Sequence, residues 1–206
     1  MEDILEIYTQ PTDPKRPLVC MDEVPKQLLS DTRDPITAQP GQVERVDYEY
    51  QRHGVANIFM FFEPFCGQRH VKVTDTRTRT DWAEAMRELS DEIHPEAEKI
   101  IVVLDNLNTH TPAAFYLAFE PDEARRLAKR FEFHFTPKHG SWLNMAEIEL
   151  SVLSRQCINR RIPDEQTLDR EVMAWAKERN SCLLYTSPSP RDCVSNLVCR
   201  LLLEKG

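Results

Sequence analysis

The sequence predicts a mixed-sheet domain of the α/β or α+β class. Two strand-like runs at residues 57–65 and 69–75 are joined by the short stretch CGQ, which is typical of a hairpin. Apolar runs at residues 99–105 and 131–135 then alternate with helical patterns. A hairpin followed by alternating strands and helices favours a sheet that contains both antiparallel and parallel pairs.

The N-terminal half begins with an expected strand at residues 17–23, PLVCMDE, which ends in acidic residues. Residues 30–51 are polar and contain Pro35, Pro40 and Gly41, so we expect a loop with an extended piece around VERVDYEY. After the hairpin, DWAEAMRELSDEI carries apolar residues at helical spacing and predicts a helix. Residues 99–105 are almost wholly apolar, as in a strand that is buried on both faces.

The C-terminal half adds helices around the strand FEFHF. PAAFYLAF opens with Pro112, a favourable residue for a first helical turn, and PDEARRLAKR predicts a second helix. SWLNMAEIELSVLSRQCI predicts one long helix with Ser141 as its cap. PDEQTLDREVMAWAKERN predicts the last helix.

Residues 182–206 depart from this pattern. Back-translated, two separate parts of the segment match in order the two ends of a common sequencing-library adapter, with room for an index between them. The alternative is a natural Ser/Pro linker followed by a Leu-rich helix. We expect one native domain over residues 1–181 and exclude residues 182–206 from the fold prediction as adapter read-through.

Composition indicates an ordinary globular chain, with 41% hydrophobic and 29% charged residues. No apolar run is long enough for a membrane helix, and the acidic N-terminus does not resemble a signal peptide, so we expect a cytoplasmic protein. The formal net charge of −8 makes non-specific binding to nucleic acid by charge alone unfavourable. The cysteines form no CxxC pair, and neither a zinc site nor a disulfide framework is indicated.

Three acidic residues form a candidate site. Asp22 ends the first strand, Asp105 ends the fourth, and Glu147 lies in the long helix, where its spacing to two leucines predicts a partly inward side chain. Glu149 is expected to point elsewhere. Each acid also has a structural explanation: Asp22 could start a turn, Asp105 could accept hydrogen bonds at a helix N-terminus, and Glu147 could be a solvated helix residue.

Carboxylates that converge in a partly desolvated cleft repel one another by several kcal/mol. Either their pKa values rise or a cation neutralises them. Oxygen ligands favour magnesium or manganese over zinc. Two such ions about 3.5–4 Å apart can clamp the attacking and leaving oxygens of a phosphoryl transfer. The acids therefore indicate a metal-dependent phosphoryl-transfer site.

Three blocks of the sequence carry a family resemblance. VCMDE, VVLDNLNTHTP and TPKHGSWLNMAEIELSVLSRQ resemble the catalytic blocks of DDE transposases of the insertion sequence 630 family, which is related to mariner elements. The resemblance covers residues 16–179. It implies a ribonuclease-H-like α/β fold, a mixed five-stranded sheet flanked by helices, and the strand count above agrees with it. Carried over by position, the catalytic residues and metal ligands are Asp22, Asp105 and Glu147.

The activity that this resemblance implies is metal-dependent cutting of DNA at the ends of a mobile element, followed by strand transfer into target DNA. Water attacks first, and the freed 3′ hydroxyl then attacks the target. The implied cofactor is Mg²⁺ or Mn²⁺, as two ions, and the implied partners are DNA and a second copy of the chain. Family members also carry an N-terminal helix-turn-helix region and a closing segment, so we expect this chain to be truncated at both ends.

Further residues are expected to support the acids or to contact DNA. They are Asn106, Asn108, His110, Lys138, His139, Trp142 and Asn144. His110 could instead cap the next helix, and Trp142 could belong to the core. A basic group at residues 155–161 could face DNA or form a solvated helix end.

Two other classes of function remain open. One is another Mg²⁺-dependent phosphoryl-transfer enzyme, a phosphatase or an ATPase. The strand that ends in Asp105 could mimic a strand of an ATPase site, but GxxxxGK[ST] is absent from the sequence, which disfavours nucleotide hydrolysis. The chain could also be the remnant of a decayed element that persists only as a folded or dimerisation module. Metal binding that depends on Asp105 separates the enzyme from the module.

Overall fold

A computed structural model of the chain describes residues 2–43, 45, 47–107, 109–138 and 140–181. The strands are β1 Leu18–Asp31, β2 Tyr50–Glu63, β3 Gln68–Thr74, β4 Ile100–Leu104 and β5 Phe131–Phe135. The helices are α1 Glu2–Thr9, α2 Arg79–Glu88, α3 Ala113–Ala118, α4 Pro121–Arg130, α5 Met145–Leu153 and α6 Glu165–Ser181. Single π-helical turns, Leu89–Ile93 and Ser154–Ile158, continue α2 and α5.

The five strands form one mixed sheet in the order β3-β2-β1-β4-β5. The pairs β1–β2 and β2–β3 are antiparallel, whereas β1–β4 and β4–β5 are parallel. This arrangement confirms the predicted combination of a hairpin with strands that are connected through helices. The short strand β4 lies between β1 and β5 and is buried along its whole length, as its apolar sequence predicted.

Helices cover both faces of the sheet, and each face has its own hydrophobic core. Helices α1, α5 and α6 pack on one face, against a set of strand residues that includes Cys20 and Val103. Helices α2, α3 and α4 pack on the other face, where Trp82, Phe115 and Phe131 are buried. Because side chains alternate along a strand, neighbouring residues of β1 belong to opposite cores.

The structure corrects three local expectations. Strand β1 does not end at its acidic residues but continues to Asp31 as the long partner of β2. The expected single helix from Ser141 is broken: residues 141–143 form a 3-10 turn, and α5 begins after Asn144, whose side chain caps it instead of Ser141. The short N-terminal helix α1 was not expected, because eight residues give too little periodicity to identify an amphipathic helix.

One further prediction concerns the C-terminal end of the chain. The predicted adapter segment, residues 182–206, lies outside the described residues. The domain boundaries therefore remain a prediction.

Within the described part of the chain, no helix is both long and apolar enough to cross a membrane.

Candidate active site

The parallel register of β1 and β4 places Asp22 and Asp105 at equivalent positions. Cys20 lies opposite Val103 in the ladder, and each aspartate follows two residues later in its strand direction. Alternation along β1 directs Asp22 to the same face as Cys20, where α5 packs. Both carboxyl groups are half-buried. Two acids that are far apart in the sequence therefore meet at one edge of this face.

Asn144 brings the start of α5 to the same place. Its side-chain oxygen accepts a hydrogen bond from the Ala146 amide, which caps the helix. Its Nδ2 donates to the main-chain oxygen of Met21, at 2.8 Å, directly before Asp22. Glu147 lies in the first turn of α5 and is therefore held near Asp22. The helix N-terminus also favours a negative charge at this position.

The electrostatics of Asp22 include the charges of the other two acids. Burial is the largest cause that raises the pKa of the Asp22 carboxyl, to about 7. The charges of Asp105, Glu147 and Glu23 raise this pKa further, against a hydrogen bond from the Glu23 amide that lowers it. That hydrogen bond reaches Asp22 Oδ1 at 2.8 Å. A raised pKa is one outcome that the sequence predicted for acids that no cation neutralises, although burial rather than repulsion is its main cause here.

Among the described residues, the Asp105 carboxyl has one weak, neutral hydrogen-bond partner. The hydroxyl of Thr136, just after β5, donates to Asp105 Oδ1 at 3.3 Å. In the described part of the chain, no Lys, Arg or His side chain forms an ion pair with Asp22, Asp105 or Glu147. The excess negative charge at this edge of the sheet is thus not neutralised from within these residues.

The orientation expected for the two glutamates of α5 was wrong. Glu147 is exposed, whereas Glu149 is buried and pairs with Arg69 and Arg179. The buried face of α5 is formed by Ala146, Glu149 and Leu153 with their neighbours, and Glu147 lies outside it. Glu147 remains near Asp22 because it follows the anchored cap, not because it faces the core.

His110 is fully buried between the two strand ends. It does not cap α3, whose N-cap is Pro112 with no side-chain hydrogen bond. Its Nε2 lies 3.2 Å from Glu23 Oε2, and its Nδ1 lies 3.4 Å from the main-chain oxygen of Asp105. The interpretation as a residue that supports the acids therefore fits its contacts.

The remaining expected residues have different environments. Asn106, Lys138 and Trp142 are exposed, on the loops that follow β4 and β5 and precede α5. Trp142 is 41% exposed, so it is not a core residue. Asn144 is buried and uses its side chain within the chain, as described above. Asn108 and His139 lie outside the described residues.

The basic group after α5 is largely engaged inside the chain. Arg160 pairs with Glu171, and Arg161 pairs with Asp31. Arg161 also donates to the main-chain oxygens of Asp47 and Glu49. These contacts favour a structural role for the two arginines over DNA contact.

The chemistry of the three acids fits a divalent cation. Their oxygens are the ligands that Mg²⁺ and Mn²⁺ prefer, and the raised pKa of Asp22 reflects a cost that a cation at this position relieves. Within the described residues, no three Asp, Glu, His or Cys side chains are arranged to hold a metal ion as they stand. A metal bound by Asp22, Asp105 and Glu147 therefore requires their carboxyl groups to adjust.

Sequence reasoning missed Glu23 and Thr136 as neighbours of the acids. Glu23 stands next to Asp22 in the VCMDE block, but alternation sends it to the opposite face, so its contact with His110 requires knowledge of the fold. Thr136 reaches Asp105 only because β5 lies beside β4. Neither contact has a signal in local sequence spacing.

The sequence, the sheet and the three acids agree with a known family. The family described as DDE superfamily endonuclease matches residues 17–169. This range contains the whole sheet and all three acids. The chain therefore belongs to the DDE superfamily endonucleases.

Solved structures of the Mos1 mariner transposase share the fold of this chain. The crystal structure of the Mos1 mariner paired end complex with Mn is 16% identical, with a TM-score of 0.55, and the match covers 86% of this chain and 52% of that chain. The Mos1 strand transfer complex is 14% identical, with a TM-score of 0.58, and covers 85% and 51%. The Mos1 transposase paired-end complex with the left transposon end is 14% identical, with a TM-score of 0.58, and covers 92% and 53%.

These likenesses confirm the predicted fold, a ribonuclease-H-like mixed five-stranded sheet flanked by helices. The chain spans about half the length of the Mos1 chains that it matches. No curated protein sequence matches the chain.

Proposed function

We propose that the chain is the catalytic domain of a mariner-related DNA transposase, of the insertion sequence 630 type. In this proposal it cuts DNA phosphodiesters at the ends of a mobile element and joins the freed strand to target DNA. Membership of the endonuclease family and the fold shared with Mos1 complexes support this function. The observation that carries it is the group of three acids, Asp22, Asp105 and Glu147, which meet without a cationic partner in the described residues.

The proposal assigns one site to these three residues. Asp22 and Asp105, at equivalent positions of parallel strands, would hold a divalent cation between them, and Glu147 would complete its ligands from the first turn of α5. A bound cation of this kind supplies charge stabilisation for an attacking or leaving oxygen. The acids themselves define where the scissile phosphate must lie, at the exposed edge between β1, β4 and α5.

DNA is the proposed substrate, and the exposed side chains around the acids support it. Lys138 and Trp142 lie on the loop between β5 and α5, at the same edge as Asp105. A lysine can contact phosphate, and an exposed indole can stack on an unpaired base. The solved structures that share this fold include the Mos1 strand transfer complex and the Mos1 paired-end complex with the left transposon end. A homodimer in the active complex is part of the same proposal.

Metal titration of the purified chain tests the site. We expect MnCl₂ or MgCl₂ to raise the melting temperature, because a ligand that binds only the folded state stabilises it by about 2.7 kcal/mol at a hundredfold excess over its dissociation constant. Asp105→Asn should abolish this shift. Asp122→Asn is the matched control, because it removes the same charge from the exposed surface of α4.

Nicking of supercoiled plasmid DNA tests the reaction. We expect metal-dependent nicking by the unaltered chain and by Asp122→Asn, and none by Asp22→Asn or Asp105→Asn. A chain that folds, ignores both metals and leaves the plasmid intact contradicts the proposed enzyme. If such a chain is also a stable dimer in sedimentation, the alternative of a non-catalytic module is favoured.

A further inference from the structure

Glu23 and His110 form a buried pair behind the three acids. Glu23 follows Asp22 in β1, so its side chain points to the opposite face of the sheet, where it lies opposite Phe59 in the ladder. Its side chain is 5% exposed and that of His110 is 0% exposed. A buried carboxylate and imidazole at hydrogen-bond distance form a contact that water does not screen.

The contacts of His110 join the two aspartate positions. Its Nε2 lies 3.2 Å from Glu23 Oε2, and its Nδ1 lies 3.4 Å from the main-chain oxygen of Asp105. Trp82 stacks on the imidazole, with the ring centroids 5.7 Å apart and the planes at 25°. The ring therefore runs from the residue beside Asp22 to the backbone of Asp105, and the indole fixes its plane.

The contact between Glu23 and His110 lies just beyond the last paired residues of β1 and β4. The register between β1 and β4 ends at Cys20 and Val103, two residues before the aspartates. Beyond that point the parallel ladder no longer fixes the distance between the two backbones. A side chain that spans the gap can do so in its place.

The turn after Asp105 holds His110 at a fixed distance from it. The Leu107 amide donates to the main-chain oxygen of Asp105 at 2.9 Å, and the His110 amide donates to that of Leu107 at 3.0 Å. On the other side of the pair, Arg77 Nη1 lies 3.5 Å from Glu23 Oε1. Both ends of the bridge are thus held by contacts of their own.

We propose that Glu23 and His110 are positioning residues that set the separation of Asp22 and Asp105 and, through it, the affinity of the site for a divalent cation. This inference rests on the proposed function of the acids. Neither residue touches the metal or the DNA in this role. Loss of groups that orient metal ligands in this way typically weakens metal binding 10- to 100-fold.

Calorimetric titration of the full chain with MnCl₂ tests the inference. Glu23→Ala and His110→Ala should each weaken Mn²⁺ binding 10- to 100-fold. Glu23→Gln should restore binding to within a few fold, because its side chain still reaches the imidazole although it has no charge. His70→Asn is the matched control and should bind Mn²⁺ as the unaltered chain does. Its Nε2 lies 3.1 Å from Glu63 Oε1 and has no part in the bridge between Asp22 and Asp105.

The double variant shows whether the two residues act as one unit. If they do, Glu23→Ala combined with His110→Ala should bind Mn²⁺ no more weakly than the weaker single variant, rather than with both losses added. Circular dichroism at the titration temperature establishes that each variant is folded. Should His110→Ala fail to fold, the comparison of Glu23→Ala with Glu23→Gln carries the same test.

The outcomes separate this inference from the proposed function. If the unaltered chain binds no Mn²⁺, or if Asp105→Asn binds it equally well, the metal site itself is wrong. If Asp105→Asn loses binding but Glu23→Ala and His110→Ala bind as tightly as His70→Asn, only the positioning role is wrong. Equal weakening by Glu23→Ala and Glu23→Gln also overturns it, because the charge rather than the bridge would then matter.

Discussion

Two glutamates of α5, only two residues apart, have opposite environments. Glu149 is buried and has Arg69 at 2.5 Å and Arg179 at 3.6 Å. Glu147 is exposed, forms no ion pair within the described chain, and raises the pKa of Asp22. The negative charge of Glu149 inside the core is compensated by two arginines, whereas no ion pair within the described residues compensates that of Glu147. This difference separates an acid that stabilises the fold from one that the proposed function assigns to metal binding.

The largest effect is expected at the compensated acid. Glu149→Gln removes the buried negative charge that pairs with Arg69, and breaking a buried pair in this way costs about 3–5 kcal/mol. Urea unfolding monitored by circular dichroism measures the loss. A change below about 1 kcal/mol would show that solvent or another group replaces the carboxylate, and the contrast with Glu147 would then disappear.

The next largest loss of stability is expected at Asn144, which anchors the start of α5. Asn144→Ala removes the cap and leaves the buried oxygen of Met21 without its donor, for a combined loss of about 2 kcal/mol. Asn144→Ser keeps a capping oxygen but cannot reach Met21, so it should recover about half of that loss. The same unfolding assay separates the two contributions. Equal losses in both variants would contradict the assigned role of the hydrogen bond to Met21.

Replacing Asp22 should stabilise the folded chain at alkaline pH, whereas the two preceding variants destabilise it. Because its pKa in the folded chain is about 7, the folded state retains a proton that the unfolded state releases as pH rises above about 4. The contribution of Asp22 to the stability of the unaltered chain therefore falls with rising pH until the carboxyl is fully ionised above pH 7. Asp22→Asn lacks this loss and should be more stable at pH 8 by about 1–3 kcal/mol.

Melting temperatures measured from pH 3.5 to pH 8 in metal-free buffer provide the check. The two curves should coincide at the acidic end, where Asp22 is protonated in both states, and should diverge as pH rises. Asp122→Asn serves as the control for removing an exposed aspartate and should follow the unaltered chain. If Asp22→Asn is less stable at pH 8, the acid is not destabilising in the folded chain.

The smallest effect on stability is expected at Glu147. Glu147→Gln changes an exposed side chain and should alter the free energy of unfolding by no more than about 0.5 kcal/mol. Its Mn²⁺-induced rise in melting temperature should nevertheless be much reduced. Compared directly with Glu149→Gln, this variant tests whether one acid of α5 stabilises the fold and the other binds metal. Loss of stability without loss of metal binding would reverse their assignment.

The sequence predicted the pieces of the fold better than their boundaries. The apolar run of β4 and the hairpin β2–β3 were predictable because alternation and burial leave a local signal in residue type. The continuation of β1 to Asp31 was not, because its outer half gains its structure from pairing with β2 rather than from its own residues. The break at Asn144 was missed for a similar reason, since its side chain bonds to a strand that is distant in sequence.

The sequence by itself determined which acids are candidates. Asp22 and Asp105 follow apolar strand residues, and Glu147 lies in a predicted helix, patterns that are visible in the local sequence. Only the tertiary structure decided how these acids meet, because parallel register aligns Asp22 with Asp105 and the anchored cap brings Glu147 to them. The tertiary structure likewise decided that Glu149 is compensated and Glu147 is not. Charge compensation depends on distances between elements, and local sequence does not encode these distances.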